Sequence, residues 1–264
     1  MSHPDSEVAE PARDSAAGRR DPLRIVVLAC NCRHGGAVSV ARNLIAELGR
    51  QAPENEYFVT IPPGLGYEES CEALPRREVF VYNGSPEPLA RWRYERKVWP
   101  KMMEDFSPDV IAGLGNRGLT HPPCPQAILI HAPHLLYPSR HFGRIGVKRK
   151  LVNLYHTHRL RQSLRRTELV LCQTPVAKKR LIDKYNYTGR VELLPNAVSR
   201  DVIDSAAPLE RPAEIASRSD RFRLLCLTRY YPHKNLEGIV ETFRRHRRRL
   251  SDVVVYLTIS EDHG

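Results

Sequence analysis

Short apolar runs recur along this chain at residues 23–29, 57–61, 79–82, 110–112, 127–130, 169–172 and 191–194, with helical patterns between several of them. Strands that read as continuous apolar runs are those buried on both faces, and crossover helices join such strands in parallel. The alternation therefore predicts an α/β protein, a parallel sheet with helices on both faces. A chain of 264 residues with 41% hydrophobic residues has room for one large or two modest domains around a packed core.

The first unit reads as a strand at 23–29, a loop at 30–36 and an amphipathic helix at 37–48, with Val38, Ala41, Leu44, Ile45 and Leu48 on one face. Gly35 and Gly36 fall between strand and helix. There, missing side chains let backbone N–H groups approach a ligand at the carboxyl edge of a sheet; a tight turn alone also explains them.

A second unit of the same plan follows near the C-terminus. Residues 224–227 read as a buried strand, the next loop carries Arg229 and Lys234, and Asn235 is a suitable N-cap for the periodic helix 236–243. A helix N-terminus offers unpaired N–H groups and partial positive charge, so two cations beside it could hold a diphosphate without metal. Solvated loop charges are the plainer account. Two Rossmann-like halves would look like this pair of units.

Residues 1–22, rich in Ala, Pro, Asp and Arg, read as a disordered tail without signal-peptide character. Residues 208–220 are polar, proline-bearing and weakly periodic. The expected organisation is a tail at 1–22, a Rossmann-like domain at 23–207, a linker at 208–220 and a partial second Rossmann-like domain at 221–264.

Gly113, Gly115 and Gly118 spell the GxGxxG dinucleotide fingerprint, which works only when a helix opens directly behind it. Pro122, Pro123 and Pro125 stand in the way, which argues against a nicotinamide or flavin enzyme. His131 lies just past the strand at 127–130, at the sheet edge where open α/β folds bind ligands, with His134 further into the loop. A histidine there can hydrogen-bond a sugar hydroxyl or assist proton movement, or it can be structural and bonded to backbone. His156 and His158, two apart in a helical pattern, point to different faces, and no metal site is expected from them.

The net charge of +11 favours an anionic partner without choosing one. Residues 140–166 interleave Arg144, Lys148, Arg149, Lys150 and Arg159 with Ile145, Val147, Leu151 and Leu154, a pattern that fits either a solvated helix face or an anionic bilayer surface. Nucleic acid is not an expected partner, because none of the named binding motifs is present. The cations at 244–249 suit the negative end of the preceding helix. Six scattered cysteines without CxxC spacing read as reduced thiols in a cytoplasmic protein. No run reaches the about 18 apolar residues of a membrane span.

Three stretches together resemble a retaining glycosyltransferase of family 4, the GT-B type with two Rossmann-like domains and a nucleotide-sugar bound in the cleft between them. RIVVLACNCRHGGAVSVARNLIAEL resembles the family's opening strand, paired glycines and helix; VELLPNAVSRD resembles the segment entering the second domain; LLCLTRYYPHKN resembles that domain's first strand and cation loop. The resemblance implies that Arg229 and Lys234 contact the donor's diphosphate, that Gly35 or Gly36 lines the cleft, and that His131 faces the sugar as the catalytic-site histidine. It implies hexosyl transfer to a lipid-linked or polysaccharide acceptor, with the nucleotide-sugar as donor substrate and no cofactor or metal. Cations aimed at the leaving diphosphate would lower the barrier to breaking the anomeric bond.

The chain also departs from the family's pattern. Residues 221–264 fall short of the about 50 residues an independent domain needs, which predicts a truncated second domain with an uncovered apolar surface. The family's later paired-glutamate motif has no counterpart, since Glu237, Glu241 and Glu261 do not fit its place or spacing. The alternative reading is a non-catalytic acceptor or membrane-docking module, peripheral at the inner face of the cytoplasmic membrane, whose cleft is finished by a complementing C-terminal domain from another chain.

Overall fold

The computed structural model describes residues 21–84, 88–138, 146–198, 203–204, 213–216, 220–228, 230 and 234–259, with the side chains of 88–92, 214 and 216 left aside. Residues 1–20 of the expected tail and most of the expected linker at 208–220 lie outside these residues, as does Arg229.

The first sheet is built from β1 (Arg24–Leu28), α1 (Gly36–Gln51), β2 (Glu56–Ile61), α2 (Tyr67–Glu72) and β3 (Arg77–Val81), followed by α3 (Pro88–Lys97), α4 (Trp99–Phe106) and β4 (Val110–Gly113). The chain continues through β5 (Gln126–Ile130), α5 (Pro133–Leu136), α6 (Val147–Leu164), β6 (Leu169–Cys172), α7 (Pro175–Tyr185) and β7 (Arg190–Leu193). The seven strands pair in the order β3-β2-β1-β4-β5-β6-β7, and every pair is parallel.

The central strand shows why the apolar runs are continuous. Ile25 and Val27 of β1 pack with Ala41 and Ile45 of α1 and Tyr67 of α2. Val26 and Leu28 point to the opposite face and pack with Trp99, Met103 and Phe106 of α4. Each face thus takes alternate residues of one strand, and both sets must be apolar. A third cluster joins Ile128 and Ile130 of β5 to Leu160 and Leu164 of α6 and Leu181 of α7. Burying each Val, Leu, Ile, Phe or Met side chain among these stabilises the fold by about 1.5–3 kcal/mol.

Local signals agree with this packing. Pro175 opens α7, Thr174 accepts a hydrogen bond from the Ala177 N–H at 3.1 Å, and Asn186 ends the helix in the left-handed region at φ 49°. Proline, a hydroxyl cap and a left-handed asparagine each satisfy or remove an end group the helix would otherwise leave open.

Beyond β7 lie a single turn, α8 (Ala213–Ala216), then β8 (Phe222–Cys226), α9 (Leu236–Arg245) and β9 (Val253–Leu257). β8 and β9 pair in parallel as a separate two-stranded sheet. Here the structure corrects two expectations. The strand read as buried at 224–227 is open to solvent, with Leu225 61% and Leu227 80% exposed, because two strands and one helix cannot cover both faces of a sheet. Asn235 does occupy the N-cap position of α9, but in the left-handed region at φ 51° and without a side-chain cap bond.

Candidate active site

In the first sheet the strand order reverses between β1 and β4, so their following connections leave in opposite directions and open a crevice at the carboxyl edge. The loop after β1 is pinned there. Arg33 donates from Nε to Cys30 O at 3.0 Å and from one terminal nitrogen to Tyr82 O at 3.0 Å, with its guanidinium over the Tyr82 ring. Tyr67 donates its hydroxyl to Cys32 O at 2.8 Å, and the Cys32 thiol donates to Leu114 O at 3.2 Å. Burial holds the Tyr67 phenol well above its ordinary range, so it stays a donor.

These anchors leave His34, Gly35 and Gly36 exposed at the edge. Gly35 has φ 55° and ψ −141°, a conformation that a side chain would strain. Space around Gly36 is open, with nothing within 4 Å of the position a Cβ would take. α1 begins directly behind without a side-chain cap and without an acidic residue in its first turn. Its positive end is therefore presented to the crevice, ready for an anion.

The loop after β4 closes against this one, since a Cβ on Gly115 would lie 2.5 Å from the Asn31 Cβ. The next residue, Asn116, is left-handed at φ 65°. Its Oδ1 accepts from the His131 and Ala132 N–H groups at 2.7 Å each, and its Nδ2 lies 3.1 Å from His131 Nε2. With Oδ1 occupied by two backbone donors, Nδ2 is the group that faces the ring, so Nε2 accepts and the imidazole proton sits on Nδ1. Nδ1 is buried, and among the described residues it has no hydrogen-bond partner. Burial lowers the His131 pKa and keeps the ring neutral.

The GxGxxG spelling is accounted for by packing. No helix follows it before β5. A Cβ on Gly118 would lie 2.1 Å from Gln126 Oε1. Gln126, buried at the start of β5, accepts from Leu119 N and donates to Leu119 O and Arg166 O.

The rim continues past β6 and β7, where Gln173 donates to Asn196, and Asn43 of α1 donates to Ala197 O at 3.4 Å. Gly35, Gly36 and His131 thus share one edge of one sheet, joined through Asn31, Gly115 and Asn116. Asn116 was not singled out from sequence; an asparagine between two glycines, directly after a strand, is the signal that could have found it.

Lys234 belongs to the other sheet and is exposed immediately before Asn235. Glu237 stands in the first turn of α9 and accepts from the Tyr230 hydroxyl, which holds its carboxyl below the ordinary range. That helix end therefore carries a carboxylate as well as Lys234.

His156 packs edge-on to His134 at 6.2 Å, whereas His158 is exposed, as their two-residue spacing predicts. All six cysteines are free thiols, and Cys30, Cys32, Cys71 and Cys172 are buried. No helix among the described residues is long and apolar enough to cross a membrane.

Residues 34–202, more than half of the chain, match the model of Glycosyltransferase Family 4. The chain belongs to that family. The matched stretch contains Gly35, Gly36, Asn116 and His131; Arg229 and Lys234 lie beyond it.

Solved structures agree at the level of fold. An S. aureus MnaA–UDP co-structure superposes with a TM-score of 0.57 at 11% identity, covering 91% of this chain and 62% of that one. A UDP-N-acetylglucosamine 2-epimerase gives 0.54 at 12% identity, covering 89% of this chain and 63% of that one. A glycosyltransferase from Rickettsia africae ESF-5 gives 0.50 at 12%, covering 92% and 70%. This member of Glycosyltransferase Family 4 thus has the expected α/β fold of GT-B type, with a Rossmann-like N-terminal sheet, and spans about three fifths of the first two of these structures. No curated protein matches it.

Proposed function

We propose that this chain carries out, or contributes the acceptor side of, hexosyl transfer from a nucleotide-sugar to a lipid-linked or polysaccharide acceptor, with retention at the anomeric carbon. The observation that carries this reading is the open Gly35–Gly36 corner under the uncapped start of α1, set at the strand-order reversal within the stretch that matches the family. The donor's diphosphate is assigned to Arg229 and Lys234 by resemblance, and charge developing on that leaving group is what fixed cations stabilise most. His131 is assigned to the sugar-facing position by resemblance; with the ring kept neutral by burial and Nε2 already accepting from Asn116, it does not serve as a base. No metal or cofactor has a role in this scheme.

The acceptor side is assigned to a membrane face. Val147, Leu151 and Leu154, spaced at i, i+4 and i+7 on α6, are 74%, 62% and 65% exposed, with Lys148, Arg149 and Lys150 among them. Exposed apolar side chains at that spacing, beside basic ones, suit contact with an anionic bilayer surface. The free thiols fit the reducing side of the membrane, the cytoplasm.

Calorimetry of nucleotide-sugars with the purified chain tests the donor assignment. Binding weakened by Arg229→Ala and Lys234→Ala is expected, and binding indifferent to both substitutions overturns it. An anomeric product of inverted configuration would overturn retention. Flotation with anionic but not neutral vesicles, lost in Leu151→Asp, tests the membrane face.

A second reading has one observation in its favour. Phe222, Leu224 and Leu225 of β8 are exposed apolar side chains on a sheet that ordinarily is covered. On this reading the chain is a docking module whose β8–β9 layer pairs with another polypeptide. Retained donor binding by the isolated, monomeric chain would decide against it.

A further inference from the structure

A groove of about 1060 Å³ lies away from the crevice just described. Its walls come from α3, α4 and α6 and from the segments that lead into β4, β5 and β6, so it faces the amino ends of those strands. His131, Gly35 and Gly36 lie past carboxyl ends. A ligand in this groove is not the sugar donor.

The floor is apolar: Trp99 and Met103, each 4% exposed, with Leu119 beside them. The rim is cationic. Arg165 and Arg166 follow directly on the last turn of α6 and are exposed. Basic residues there often serve the helix's negative end. In this helix the terminal carbonyls already have other donors: Ser163 O accepts from Arg166 N at 3.0 Å and from the Thr167 hydroxyl at 2.8 Å, and Leu164 O accepts from Thr167 N. Among the described residues neither guanidinium meets a carboxylate. Two planar forks of donors therefore line the same groove as an aromatic and thioether floor.

Deeper in the wall, Arg159 is held by Glu95 at 2.5 Å, with both side chains nearly buried, so this pair fixes the shape of the groove. Glu104 and His121 complete the titratable lining with Arg96. Cations outnumber carboxylates, which selects an anion.

We propose that this groove binds an amphipathic phosphate, a phosphate ester whose apolar body lies on Trp99, Met103 and Leu119 and whose anion is gripped by Arg165 and Arg166. Guanidinium groups bind phosphate through paired hydrogen bonds of matched geometry, and a pocket of this size suits a ligand with a sizeable apolar part. The binding is independent of sugar transfer.

The probe is dihexanoyl phosphatidate, monomeric in solution, titrated into the full chain by calorimetry and by tryptophan fluorescence, since Trp99 lines the floor. The double variant Arg165→Gln with Arg166→Gln is expected to weaken binding at least about tenfold while leaving circular dichroism and nucleotide-sugar affinity unchanged. Dihexanoylglycerol, which lacks the anion, and inorganic phosphate, which lacks the apolar body, are each expected to bind at least about tenfold more weakly than the phosphatidate. Flotation with phosphatidate vesicles that depends on Arg165 and Arg166 identifies a lipid headgroup as the source; soluble binding without such flotation identifies a free phosphate ester. Equal affinity of the double variant and the unaltered chain overturns the proposal, as does equal affinity for dihexanoylglycerol or inorganic phosphate, or no binding at all.

Discussion

Asn116 holds His131 at two points and Ala132 at a third: its Oδ1 accepts the His131 and Ala132 backbone N–H groups at 2.7 Å each, and its Nδ2 approaches the ring Nε2 at 3.1 Å. One side chain thereby sets where β5 ends, which way the ring faces and which nitrogen carries the proton.

Replacing Asn116 by Ala leaves two partly buried N–H groups without an acceptor and puts a β-carbon residue less tolerant of positive φ at φ 65°, so it should destabilise by roughly 2–4 kcal/mol in urea unfolding. Asn116→Asp is the informative companion. Its carboxylate still accepts both N–H groups but places an acceptor against Nε2, which favours imidazolium. The His131 pKa measured by NMR should rise above its value in the unsubstituted chain; no rise would show that the ring is not held as described.

His131 also gives stability a pH dependence of definite sign. Its pKa is lowered in the folded state from the ordinary 6.5 by burial. Between that lowered value and 6.5 the unfolded chain binds more protons than the folded one, so stability falls as pH drops through this window. Above 6.5 the contribution is fully present. Urea midpoints followed from about pH 7.5 to about pH 5 should fall less steeply for His131→Gln than for the unsubstituted chain. Parallel curves would contradict the assignment.

The two glycines of the α1 corner should separate folding from binding. Gly35→Ala forces a side chain into φ 55°, ψ −141° and should cost about 1–3 kcal/mol. Gly36→Ala meets open space and adopts helical backbone, so it should leave stability unchanged or raise it by about 0.4–1 kcal/mol. If the donor lies against this corner, Gly36→Ala loses nucleotide-sugar binding in a fully folded protein. Unfolding curves and calorimetry on the same samples distinguish the two effects.

Gly118→Ala tests the packing account of the GxGxxG spelling. The added methyl would meet Gln126 Oε1 at 2.1 Å and displace a buried side chain that makes bonds to Leu119 and Arg166. A loss of about 2–3 kcal/mol is expected, with nucleotide affinity of the folded protein unchanged. A selective loss of affinity at full stability would restore the phosphate-loop interpretation.

Much of the architecture is legible in the amino-acid sequence. The continuous apolar runs marked strands buried on both faces, as the opposite packing of Val26 and Val27 demonstrates. The spacing of Ala41 and Ile45 marked the inner face of α1. Pro122, Pro123 and Pro125 were enough to disqualify the helix a dinucleotide fingerprint needs. In the second unit the shortness of residues 221–264 pointed to an uncovered apolar surface, whereas the strand taken by itself reads as buried. Leu224, Leu225 and Leu227 have the composition of a buried strand yet stand exposed, because composition describes what a strand can bury and not what is present to cover it.

The chain's own residues determined the strands, the helices and the small residues at the β1–α1 corner, since each of these depends on periodicity and backbone preference within a few neighbouring positions. Only the tertiary structure decided that Asn116 grips His131 across 15 positions and that Gly115 meets Asn31. Those contacts exist because β4 pairs with both β1 and β5 in parallel register, which brings the loops at their carboxyl ends together. Strand pairing is a long-range choice of partner and register, set by the burial of whole faces, and no local pattern records it.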